Sequence, residues 1–123
     1  MNIMSSTNLG RNGVYDWLVQ RVTSLVMAAY LFVVVGFILL TPDMTYDIWS
    51  EFFAQTWVRV FSLMMVISVA MHAWIGLWCV LNDYVTVRLM GPKATALRLT
   101  FQFVLGMITA VYFLWGLEIL WGL

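Results

Sequence analysis

This sequence predicts an all-α membrane protein with three transmembrane helices, and three observations carry that reading. The first is composition: 63% of the 123 residues are hydrophobic, 10% are charged, and mean hydropathy is +0.93. A soluble domain of this size could not cover so apolar an interior with so few charges. The second is the placement of the charges, which leaves three long uncharged stretches. Each is near the roughly 20 residues that cross a hydrocarbon core of about 30 Å. The third is that polarity does not alternate within these stretches, as a membrane β-barrel would require. The chain reads as a single domain, 1–123, with helices at about 17–40, 59–82 and 97–120 and no internal repeat.

In chain order, the first fifteen residues, MNIMSSTNLGRNGVY, are polar and lack the basic and apolar regions and the cleavage site of a signal peptide. The first hydrophobic helix is therefore expected to stay in the mature protein. It follows Arg21, with nineteen uncharged residues from Val22 to Leu40. TPDMTYDIWSEFF then reads as a turn after Pro42 and a short amphipathic segment, with Trp49 at the membrane interface. The second span lies between Arg59 and Asp83, and the third between Arg98 and Glu118.

Five of the six cationic residues (Arg11, Arg21, Arg88, Lys93 and Arg98) fall on one side of these spans; Arg59 alone falls on the other. The positive-inside rule then places the N-terminus and second loop in the cytoplasm and the C-terminus on the far side. A net charge of zero gives no electrostatic footprint for nucleic acid. The lone cysteine, Cys79, excludes an internal disulfide, and no CxxCH motif is present for covalent haem attachment.

The single histidine, His72, lies in MHAWIGLWCVLNDY (71–84), close to the middle of the second span. A titratable ring at that depth is costly without a partner, which makes it a functional candidate. Ser68, His72, Gly76 and Cys79 share one helical stripe, while Trp74 and Trp78 point elsewhere. Small residues beside an imidazole suit two arrangements: close approach of a second helix, or a flat cofactor such as haem held through a neutral ring nitrogen. The other ring nitrogen is expected to donate to the carbonyl of Ser68. One histidine cannot give both imidazoles of a six-coordinate haem, so the second would come from another chain. At this point both arrangements stand.

Asp83 returns to nearly the same face eleven residues on, about 16 Å towards the predicted cytoplasmic surface, and Tyr84 follows it. A phenol can donate to a quinone oxygen and a carboxylate can relay protons. An interfacial tyrosine and a helix-ending aspartate are also ordinary features. Arg21, at the same membrane edge, either snorkels or pairs with anionic groups such as haem propionates.

LGRNGVYDWLVQR (9–21), HAWIGLWCVLNDY (72–84) and the three-span plan resemble the hydrophobic membrane anchor, the small cytochrome b chain, of bacterial succinate dehydrogenase, respiratory complex II. The resemblance runs from Leu9 to the Trp-Gly near the end. It implies half of a helical bundle in the bacterial inner membrane, shared with a second cytochrome b anchor subunit. The two would hold an iron–sulfur subunit and a flavoprotein subunit, with the C-terminus periplasmic. It implies His72 as an axial ligand of a shared haem b and Tyr84 as a hydrogen-bond donor to ubiquinone. Asp83 would lie at the quinone pocket, and Arg21 near the propionates and that pocket. No succinate chemistry would occur in this chain.

This sequence departs from the resemblance in carrying Tyr15 where the best-known members have histidine, and in a second loop, VTVRLMGPKATALR, longer than expected. Two competing readings are a quinol:fumarate reductase anchor and a haem-free structural or assembly membrane protein. Three short spans without paired broken helices offer little path for a transporter.

Overall fold

The computed structural model describes residues 13–122, so Arg11 and the start of the 9–21 motif lie outside the described residues. Among those described there are five helices and no strand: α1 (Gly13–Leu39), α2 (Tyr46–Ala54), α3 (Thr56–Tyr84), α4 (Val87–Met90) and α5 (Lys93–Trp121). Helices α1, α3 and α5 are long and apolar enough to cross a membrane. The expected all-α fold with three spans is therefore present. Helix α3 is the middle element, with α1 and α5 both packed against it.

Each long helix runs past the apolar stretch that marks it. At 1.5 Å per residue, 27–29 residues extend about 40 Å, more than the hydrocarbon core. Asp16, Arg59, Lys93 and Arg98 consequently sit inside helical turns rather than in loops.

Local chemistry sets the breaks. Leu40 and Thr41 close the last turn of α1 on the carbonyls of Gly36 and Ile38, and Pro42 cannot continue it. Thr45 then caps α2, its Oγ1 accepting from the amide of Ile48 at 3.3 Å. Phe52 of α2 is buried and stacks on Phe37 of α1, ring centroids 3.9 Å apart, which lays α2 against the end of the bundle.

The second connection is mostly helical rather than a long loop. Thr86 caps the single turn of α4, and Gly91 takes φ +73°, a conformation that a Cβ would strain. Leu81, Val85 and Ala94 form a small buried cluster there, with Leu77 and Leu97 packed on it.

Polarity is inverted relative to a soluble bundle. The buried residues include Asp16, Thr23, Ser62, Ser68 and Gln102, while Phe32, Leu39, Phe103 and Ile119 are exposed. Between membrane helices the hydrophobic effect gives little drive, so small and hydrogen-bonding side chains make the contacts. Tyr30 and Ser62 share a 2.7 Å hydroxyl pair across α1 and α3, and Tyr30 meets Phe61 edge to face. The exposed apolar faces are left for lipid and for other chains.

Candidate functional site

His72 is half-buried on α3, and its Nδ1 lies 3.1 Å from Thr23 Oγ1 on α1. The threonine decides what that contact means. Its hydroxyl also lies 2.7 Å from the carbonyl of Val19 and 3.2 Å from that of Gln20, both of which only accept. Its one proton goes back into its own helix, the usual habit of helical threonine. With its proton so placed it accepts from the imidazole, an assignment that goes with a proton on Nδ1 and a lone pair on Nε2. The partner is thus Thr23, forty-nine residues away in sequence, and not the expected carbonyl of Ser68.

The helix face beside the ring is not filled at Gly76. A Cβ built on Gly76, one turn further along α3, meets nothing within 4 Å. Ser68 on the same stripe is buried, and Cys79 is exposed. Among the described residues no three His, Cys, Asp or Glu side chains come together, so the one nitrogen suited to iron is that of His72. One imidazole, oriented through its second nitrogen, is the side chain here that would hold a haem iron if one were bound.

Asp83 and Tyr84 are exposed in the last turn of α3, with Tyr84 at 68%. Twelve residues of helix separate Tyr84 from His72, a rise of about 18 Å. Arg21 is exposed on α1, its guanidinium 5.5 Å from the ring centroid of Trp17. It lies about 200° around the helix from Thr23, so α1 turns it away from His72.

Residues 5–115 match the family model for the succinate dehydrogenase/fumarate reductase transmembrane subunit. The chain belongs to that family. It is also similar to the succinate dehydrogenase hydrophobic membrane anchor subunit of Coxiella burnetii (strain RSA 493 / Nine Mile phase I). The two are 33% identical over 111 residues, 90% of each chain. A multi-pass membrane protein that associates with other subunits is what this membership entails.

Two features of this family member escape a sequence reading. Asp16, Gln20 and Thr23 follow at helical spacing, Asp16 and Thr23 are buried, and the buried Oε1 of Gln20 has no hydrogen-bond partner among the described residues. Polar residues therefore run along α1 from its N-terminal end to His72. A spacing of four and three over residues 16–23 is the only sequence signal for it.

The second feature is Arg98, counted above only as a loop charge. Its Nη1 donates to the carbonyls of Leu81 (3.1 Å) and Val85 (3.2 Å), and its Nη2 to Asn82 Oδ1 (2.9 Å). These bonds add to the one that the Leu81 carbonyl already accepts from the Val85 amide, and they put positive charge at the negative pole of α3. They hold the turn that carries Asp83 and Tyr84. We expect Arg98→Gln to lower stability by about 1–2 kcal/mol, read as a lower Tm of the purified complex. An unchanged Tm would mean that α3 ends firmly without it.

Proposed function

We propose that this chain is the hydrophobic membrane anchor subunit of a succinate:ubiquinone oxidoreductase, in which His72 would hold a haem b and Tyr84 and Asp83 would form part of the ubiquinone-reduction site. The observation that carries the reading is the contact between His72 and Thr23, which leaves Nε2 of the imidazole ready to bind iron. Bound there, haem would supply a one-electron redox centre in the membrane. Everything else asked of this chain is positioning, proton handling and attachment.

Thr23 orients the His72 ring and holds its tautomer. Tyr84 donates a hydrogen bond to a ubiquinone carbonyl at the N-terminal end of the bundle, and exposed Asp83 passes protons from water to the reduced quinone. Arg98 keeps that turn of α3 in place. Arg21 takes its place in this reading as a cation for the propionates or the quinone pocket. It must serve a group bound on the outer side of α1 or extending around it.

The second histidine belongs to a partner cytochrome b anchor, and the iron–sulfur and flavoprotein subunits dock at the N-terminal end. That end is cytoplasmic in a bacterial inner membrane, and the α2 end is periplasmic. Succinate oxidation takes place in the flavoprotein. The named relative favours the succinate direction over the fumarate direction that the family description also covers.

The test is the wild-type complex purified through this chain. It should show a b-type α-band in the reduced-minus-oxidised spectrum and should reduce added ubiquinone with succinate. A complex with its partner subunits present and no haem absorption would overturn the ligand assignment. Menaquinone as the extracted quinone would turn the reading to the fumarate direction.

A further inference from the structure

At the α2 end, away from His72 and Tyr84, a cavity of about 650 Å³ opens between α2, α3 and the end of α5. That volume lies within the range of sites for small organic ligands. Tyr46, Trp49 and Trp121 line its mouth, while Met65, Val66 and Leu120 continue it along the helices. Among the described residues that line it, Arg59 alone carries a charge, and the Nε of that arginine is buried with no hydrogen-bond partner. A buried guanidinium donor left unpaired costs free energy, which an anionic acceptor would recover.

A second observation has the same sign. The side chain of Gln55, at the N-cap of α3, makes no capping bond and instead accepts from Trp57 Nε1 at 2.8 Å. The positive pole of a 29-residue helix is therefore left without a side-chain cap one turn from Arg59.

We propose that this cavity binds one phospholipid, its phosphate on Arg59 and an acyl chain against Met65 and Val66. An aromatic mouth, one cation at the level of the helix end and an apolar continuation match an amphiphile with an anionic head. The absence of any carboxylate among the described residues of the lining favours the phosphate as the group that meets Arg59. Tyr30 and Ser62 also line the cavity, but their hydroxyls are paired with each other and leave the head to the arginine.

The experiment is native mass spectrometry of the purified complex, delipidated and then titrated with phosphatidylglycerol or with diacylglycerol of the same acyl chains. Wild type should retain phosphatidylglycerol and discriminate against the phosphate-free diacylglycerol. Arg59→Gln should weaken retention roughly tenfold or more, and Arg59→Lys should restore part of it. Met65→Trp, which fills the acyl region and leaves the cation in place, should weaken it too. It carries the test should Arg59→Gln fail to assemble. Equal retention by wild type and the assembled variants, or equal binding of both lipids, would overturn the proposal. So would efficient cross-linking of Ser50→Cys to another subunit, which would mean that protein fills the cavity. None of these readouts depends on haem or quinone.

Discussion

A complex carrying His72→Ala should assemble and yet lose its b-type α-band. Assembly should survive because Thr23, the residue left behind, already has its proton on the carbonyl of Val19. It loses an incoming donor and strands none of its own, and an oxygen with two lone pairs tolerates that better than a stranded donor would. Ligation has no such reserve, since no other imidazole exists in the chain. Thr23→Val is the finer test. It keeps the imidazole and the volume and removes only the acceptor for Nδ1–H. Losing the hydrogen bond that orients a metal-ligating imidazole costs about 10–100-fold in metal affinity. The band should remain while haem is lost more readily on dilution. An acceptor on Nδ1–H makes the imidazole a stronger donor and favours ferric iron, so its removal should raise the midpoint potential. The rise is about 59 mV for each tenfold loss of that preference. Thr23→Ser should restore wild-type values. A Thr23→Val complex with unchanged potential and haem retention would separate the threonine from the ligand. A His72→Ala complex with its full α-band would place the ligand elsewhere.

The features legible in the sequence are those that the membrane imposes on each helix by itself. Three uncharged runs, a histidine at mid-depth and a proline that stops α1 can be read without knowing which helix faces which. The features that were not legible depend on pairing. The expected acceptor for His72 was the nearest local carbonyl, that of Ser68, because a sequence shows only local partners. The acceptor in the structure belongs to α1. Helix ends differ from the hydropathy breaks for a related reason. A hydropathy break marks where lipid ends, whereas a helix continues until a cap, a glycine or a proline stops it. Lys93 and Arg98 therefore lie in α5, and most of the apparent second loop is helix. Arg98 shows the consequence: a residue that reads as a loop charge becomes the donor that closes α3. Tyr15 is exposed on α1, and Thr23, the partner of His72, lies eight residues further along the same helix.

Tyr84→Phe should leave the α-band, subunit content and Tm of the complex unchanged while reducing quinone turnover with succinate by about a hundredfold. The structural effect should be small because Tyr84 is exposed at the end of α3, where substitutions stay within about 0.5 kcal/mol. The kinetic effect should be large because a quinone oxygen gains negative charge as it is reduced. A donor fixed beside it then bonds more strongly to the charged form than to the bound substrate, so the loss should appear in kcat more than in KM. Succinate oxidation with a soluble acceptor, which bypasses the membrane, should proceed at the wild-type rate. Asp83→Asn gives the contrast: it removes the proton carrier but leaves the phenol, so quinone affinity should hold while turnover falls. A Tyr84→Phe complex with normal quinone turnover would move the carbonyl donor to another subunit. This chain would then hold the pocket's edge through Arg98 and the end of α3, and its chemical contribution would rest on His72 alone.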